Sequence, residues 1–225
     1  MKGLFINFEG LDGSGKSSII SNLESILLSK GYKVIKFPEF SDSIFGDELK
    51  NRLKSDKFLR DTKDFPTSIT QSLLVMTDLA YIFEYHIRDY LENNHIVLKD
   101  RYIDTIISSQ LPFLLRDYPN IGSERLYNFL DSISSIIPKP DITFYVYTDD
   151  KIRKERIRNR YRDEFEKNSN KISKEDEEIF KMREEVYNKI INNNKNIYII
   201  NNNGTLDKAV SQVLEKVEGI YERKT

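Results

Sequence analysis

The 225-residue chain predicts an α/β fold of three layers, a five-stranded parallel sheet flanked by helices. Three observations lead there. Five short apolar runs of strand length recur along the chain, separated by longer segments whose apolar residues repeat at helical spacing. One of these runs, His95-Ile96-Val97-Leu98-Lys99-Asp100, is apolar enough to lie centrally in a parallel sheet. The first run, residues 4–8, breaks into a glycine-rich turn and then a helical pattern, a strand–turn–helix order that belongs to such sheets.

The elements follow in order. Ile19, Ile20, Leu23, Ile26 and Leu27 mark the first helix, which Lys30-Gly31 stops because glycine tolerates a left-handed cap. Residues 32–37 alternate as a second strand ended by Pro38. Ile44, Phe45, Leu49 and Leu53 predict a short amphipathic helix over 41–56. A longer helix is expected over 64–93, with Pro66 in its first turn and Asn93-Asn94 breaking it. After the third strand, helical patterns fill 104–115 and 123–137, and Pro138 and Pro140 end the second of them. Residues 142–147 form the fourth strand. Asp149 and Asp150 read as the N-cap of an arginine-rich helix reaching about residue 160. A polar stretch, 163–171, precedes a helix through Ile179, Met182, Val186, Ile190 and Ile191. The fifth strand covers 197–200 and a closing helix about 206–221. No internal repeat or linker divides the chain, so a single domain over 1–225 is expected.

Composition narrows the function. There is no cysteine and only His86 and His95, so thiolate or histidine metal clusters are not expected. A net charge of −1 with 32% charged residues does not suggest a general nucleic-acid binder. Hydrophobic residues make up 39%, but no run approaches the ~18 residues of a membrane span. No signal-peptide core follows Met1, and a cytoplasmic protein is the expectation.

The glycine-rich turn carries the chemistry. Gly10-Leu11-Asp12-Gly13-Ser14-Gly15-Lys16-Ser17 has the P-loop spacing, and its flanks are the strand and helix that such a loop needs. Backbone N–H groups of the loop and the helix N-terminus would cradle phosphates. Lys16 would reach the β- and γ-phosphates of a nucleoside triphosphate, and the Ser17 hydroxyl would join a Mg²⁺ shell. Two triphosphate enzymes compete, a switch GTPase and a small-acceptor kinase. Asn194-Lys195-Asn196-Ile197 fails as a guanine reader, and Asp100-Arg101-Tyr102-Ile103 lacks the glycine of a GTPase switch. An apolar strand ending in Asp100 has the form of a second metal residue, and otherwise of a helix cap. Arg101 would place a forked cation where a second phosphate could lie.

These segments together resemble the thymidylate kinase family. Phe8-Glu9-Gly10-Leu11-Asp12-Gly13-Ser14-Gly15-Lys16-Ser17-Ser18 is similar to that family's P-loop, and Asp100-Arg101-Tyr102-Ile103-Asp104-Thr105 with Gln110 to its Asp-Arg-Tyr segment. Pro140-Asp141-Ile142-Thr143-Phe144-Tyr145-Val146 resembles its next strand, and Arg156, Arg160, Asp163 and Glu166 its lid entrance. The resemblance implies a P-loop kinase fold with a short arginine-bearing lid, about 153–171, and ATP- and Mg²⁺-dependent conversion of dTMP to dTDP. It implies that Gly13, Gly15, Lys16 and Ser17 hold ATP, and that Asp12 accepts from the acceptor's 3′-hydroxyl. Arg101 would clamp the acceptor phosphate, with Gln110 also on the acceptor side. Arg160, or its rivals Arg156 and Arg162, would close over the transferring group. It also implies a homodimer.

Base-pocket positions depart from the family. Val75 and Leu79 stand where it usually places Phe and Arg, Phe40 replaces an Arg, and Ser109 a Tyr. Phe65, Tyr81, Tyr85 or Phe113 could supply a replacement ring. The runner-up reading is a deoxynucleoside kinase, which needs a carboxylate base; Glu9 and Glu39 are its candidates. A non-catalytic nucleotide-binding protein is the third.

Overall fold

The computed structural model describes residues 3–56, 58–59, 68–160 and 174–224. Five parallel strands form one sheet in the order β2-β3-β1-β4-β5: β1 Leu4–Glu9, β2 Val34–Phe37, β3 Ile96–Asp100, β4 Ile142–Tyr147 and β5 Ile197–Asn201. Period-two alternation sends side chains of one strand to opposite faces. Leu4, Ile6 and Phe8 pack with α1 (Lys16–Ser29) and the closing α9 (Leu206–Lys224). Phe5 packs on the other face, against α3 (Ser68–Ile82), α5 (Ile103–Asp117) and α6 (Ser123–Ser134). Three layers result, as expected. Asn7 and Glu9 share the Phe5 side, which delivers a buried carboxylate to the end of β1.

The differences from expectation are local. β2 begins at Val34 because the Tyr32 N–H is spent on Leu27 O, closing α1 beyond Gly31 at φ 85°. α2 (Ile44–Ser55) starts three residues late because Ser43 caps it, accepting from the N–H groups of Phe45 and Gly46 at 3.2 and 3.3 Å. Ser41 meanwhile bonds the buried Asp78 carboxylate of α3. The expected long helix is interrupted by a π-helical turn, Phe83–Ile87, before α4 (Arg88–Glu92). That wider turn leaves Ile82, Phe83, Ile87 and Leu91 all buried. Residues 64–67 of that expectation lie outside the described ones. The two remaining helices are α7, Asp150–Arg160, and α8, Lys174–Asn193. Among the described residues no helix is long and apolar enough to cross a membrane.

Candidate active site

β1, β3 and β4 end side by side, with Phe8 paired to Asp100 and to Phe144, so the loops beyond them converge. The P-loop leaves β1 through Gly10 at φ 137°, where an added Cβ would lie 2.5 Å from Val146 O. Gly15, at φ 94°, opens α1, and there a Cβ would meet Asn202 Nδ2 at 2.3 Å. Only glycine fits either place.

Lys16 is buried in the first turn of α1, and its Nζ turns back to donate to Gly10 O at 2.9 Å and Leu11 O at 3.4 Å. Burial, and next the Arg101 charge, pull its pKa down to about 8. Ser17 donates its hydroxyl to Asp100 Oδ2 at 3.0 Å, while Asp100 Oδ1 is buried without a hydrogen-bond partner. Mg²⁺ takes one or two carboxylates and leaves its other positions to phosphates and water. A hydroxyl and a carboxylate side by side, with an orphaned oxygen, fit that ion. No larger cluster of metal-binding side chains occurs among the described residues.

Arg101 joins this loop to Asp12 and Glu39. Its backbone is left-handed at φ 65°, and its N–H reaches across to Phe8 O at 2.9 Å. The buried guanidinium donates to Gly10 O at 3.0 Å, ion-pairs with Asp12, and approaches Glu39 Oε2 at 3.3 Å. Burial disfavours this charge, yet Glu39 and Asp12 outweigh it and keep Arg101 firmly protonated. Burial likewise opposes ionisation of Asp12, but the cations of Arg101, Arg183 and Lys16 hold its carboxyl well below the usual carboxylate range. Glu39 is pushed up by burial, with Arg101 only partly offsetting it.

Glu39 is held in place by a group that sequence reading did not single out. Lys99, fully buried on β3, donates to Pro38 O, Glu39 O and Asp100 O at 2.6, 2.9 and 3.1 Å. Burial lowers its pKa to about 8. Lys99→Met keeps the volume but leaves these carbonyls without their donor. We expect a loss of about 3 kcal/mol, read from urea unfolding; an unchanged midpoint would remove Lys99 from this account.

Glu9 anchors the next layer. It accepts from Asn7 Nδ2, the N–H of Tyr102, the hydroxyl of Thr105 and the hydroxyl of Tyr187. Gln110, also buried, lies further along α5, where its Oε1 takes the Ser72 hydroxyl at 3.4 Å. It therefore faces α3 and not the P-loop.

On the outer side, α7 and the loop after β5 grip the P-loop backbone. Ser14 O accepts from Asn202 Nδ2, Thr148 Oγ1 and Arg156 Nη1 at 2.7, 2.9 and 3.2 Å. Arg156 Nη2 donates to Asn202 O, and Arg153 Nη1 to Asp12 O at 2.9 Å. Arg156 is thus spent on the loop carbonyl. Arg160 ends α7, its side chain not described; of the expected lid, about 153–171, the part from 161 on lies outside the described residues, with Arg162, Asp163 and Glu166. Asn202, Thr148 and Arg183 were missed because each sits alone in sequence, far from any motif.

A glycine-rich loop with a buried lysine thus lies beside a buried arginine that is paired with Asp12 and Glu39. A family model described as Thymidylate kinase matches residues 8–213. The chain belongs to the thymidylate kinase family. It is 29% identical over 215 residues to a thymidylate kinase of Thermosipho africanus, covering 96% of this chain and 98% of the other. Against a thymidylate kinase of Mesomycoplasma hyopneumoniae the identity is 30% over 228 residues, covering 97% and 98%. Its fold matches the crystal structure of the Ehrlichia chaffeensis thymidylate kinase with a TM-score of 0.67, at 20% identity, over 96% and 98% of the two chains.

Within this thymidylate kinase family member, the departing positions Phe40, Val75 and Leu79 are all core residues. Ser109 turns its hydroxyl to Ile106 O. Of the replacement rings, Tyr81 and Tyr85 stack on each other at 4.6 Å with Tyr85 exposed, and Phe65 is outside the described residues. Phe113 does reach the P-loop side, in a cluster with Leu11, Phe58, Phe180 and Tyr187.

Proposed function

We propose that the chain transfers the γ-phosphoryl group of ATP to dTMP, giving ADP and dTDP, and that the Arg101–Asp12 pair marks the acceptor's place. The observation that carries this reading is the bridging position of that pair: Arg101 bonds Gly10 O in the loop that also holds Lys16. The acceptor phosphate's second pKa lies near 6, so its oxygen is ionised at neutral pH and needs no base. That oxygen attacks the γ-phosphorus, the bond from it to the bridging β-oxygen breaks, and ADP leaves. Catalysis is then alignment and charge neutralisation. Lys16 leaves its loop carbonyls for the β- and γ-phosphates, Arg101 fixes the acceptor phosphate, and Asp12 takes the sugar hydroxyl. Ser17 and Asp100 would hold Mg²⁺, which supplies further neutralisation of the triphosphate. A lid arginine, Arg160 or Arg162, completes the site and excludes water.

The deoxynucleoside kinase reading is weakened by its own candidates. Glu9 already accepts from four residues, and Glu39 is engaged by Arg101. A coupled ADP-release assay with dTMP, dUMP, UMP, CMP, AMP and thymidine tests the choice. We expect turnover with dTMP foremost; turnover with thymidine and no monophosphate would reverse it. A homodimer, by α3 with its exposed Leu73, belongs to the same reading and is checked by sedimentation.

The depressed Lys16 pKa has a kinetic sign. Below about pH 8 the free protein carries a charged Lys16; above it, the charge that meets ATP is lost. kcat/KM for ATP should therefore fall on the alkaline side with an apparent pKa about 8. kcat should hold to higher pH, because bound phosphates favour the protonated lysine. Parallel limbs in both profiles would contradict this.

A further inference from the structure

α8 presents Phe180, Arg183 and Tyr187 along one stripe, at helical spacings of three and four. Both flanking residues are fastened to the acceptor side of the site. Phe180 lies under the Arg153 guanidinium at 4.8 Å, and Arg153 holds Asp12 O. The Tyr187 hydroxyl is 2.8 Å from Thr105 Oγ1 and 3.0 Å from Glu9 Oε2, and Thr105 Oγ1 also accepts from Arg101 Nη1 at 3.3 Å. Arg183 lies between these anchors and is 6% exposed. Its Nε is buried with no hydrogen-bond partner, and among the described residues nothing hydrogen-bonds or ion-pairs with it. Lys16, Arg101, Arg153 and Arg156 all have partners, whereas the buried Nε of Arg183 has none among the described residues.

A largely buried guanidinium whose Nε has no hydrogen-bond partner carries a desolvation cost. Its field falls on Asp12, where it is the second strongest cation after Arg101. Asp12 thus faces two guanidiniums, of which Arg101 also pairs with Glu39 while Arg183 keeps donors to spare. Spare guanidinium donors suit a dianion with several acceptor oxygens.

We propose that Arg183 is a second phosphate-binding residue of the acceptor site, donating to the acceptor monophosphate opposite Arg101. The proposal rests on the acceptor-side reading of Arg101 and Asp12 given above. The incoming phosphate takes over the charge of both arginines, and the Asp12 carboxylate is released for the sugar hydroxyl.

The test compares a ligand that carries the phosphate with one that lacks it. With the full-length chain and its Arg183→Gln and Arg183→Lys variants, dTMP and thymidine binding are measured by calorimetry, and KM for dTMP and ATP by coupled assay. Arg183→Gln should weaken dTMP binding and raise its KM about 10- to 100-fold. Thymidine binding and KM for ATP should stay within about twofold, and Arg183→Lys should recover part of the dTMP affinity. Equal loss for dTMP and thymidine, or no loss for either, would overturn the proposal. If Arg183→Gln does not fold, the lysine variant carries the same comparison, with a several-fold loss confined to dTMP. A wild-type chain that uses another monophosphate corrects the acceptor named above, and the comparison then runs with that nucleotide and its nucleoside. A wild-type chain that binds no monophosphate overturns both readings.

Discussion

Lys16→Met is expected to lower kcat on the order of 10²- to 10³-fold while the chain stays folded. In the proposed reaction the lysine meets charge developing between the β- and γ-phosphates, and removing one such preorganised donor costs about 3–4 kcal/mol of transition-state stabilisation. Its present partners, Gly10 O at 2.9 Å and Leu11 O at 3.4 Å, are buried backbone carbonyls, and Gly10 O keeps the Arg101 donor when the lysine is removed. Methionine preserves the apolar stem, and it also removes a buried ammonium whose pKa burial has already lowered. Stability should therefore change little, or rise. Single-turnover phosphoryl transfer, with the thermal midpoint measured alongside, separates the two effects. A rate within tenfold of wild type would withdraw Lys16 from the chemistry.

Arg101→Met should act on both stability and acceptor binding. Asp12 and Glu39 would lose their shared cation in a site that burial makes expensive for carboxylates. Breaking such a pair from one side costs several kcal/mol when it is fully buried. Here the carboxylate side chains are 40% and 38% exposed, which lowers the expectation to about 2–3 kcal/mol. KM for dTMP should rise about 100-fold, with KM for ATP much less affected. Adding Glu39→Gln to Arg101→Met should recover part of the stability and none of the dTMP affinity. Denaturant unfolding and steady-state kinetics on the single and double variants read the two consequences apart. Recovery of affinity by the second substitution would mean that Arg101 acts through Glu39 and not on the acceptor.

Much of the fold and part of the site were legible in the chain order. Residues 10–17 announce a phosphate loop because glycines at fixed positions are a local demand of the backbone, and Gly10 and Gly15 meet it at φ 137° and 94°. Asp100 and Arg101 stood out because a charged pair ends an apolar strand, where a metal residue or a helix cap is expected, and folding sets them against Ser17 and Gly10 O. The Ser41 start of α2 and the unbroken helix over 64–93 were misread. Ser41 is drawn away by Asp78, 37 residues later, and no local pattern marks the π turn at Phe83–Ile87.

Periodicity and glycine spacing are short-range properties, so the sequence by itself determined the three-layer sheet and the glycine-rich loop at its edge, while its motifs carried the resemblance to the kinase family. Which cation serves which phosphate is a long-range matter. Arg156 was a rival candidate for the transferring group by the family resemblance of its segment, yet folding turns it onto Ser14 O, 142 residues away. Arg183 has no motif around it, and only the packing of α8 against the loop brings its unpaired charge to Asp12. Lys99 reads as a chance charge in an apolar strand until the carbonyls of Pro38 and Glu39 close over it. Charge acquires a role from its surroundings, and those surroundings come from segments the chain order keeps apart.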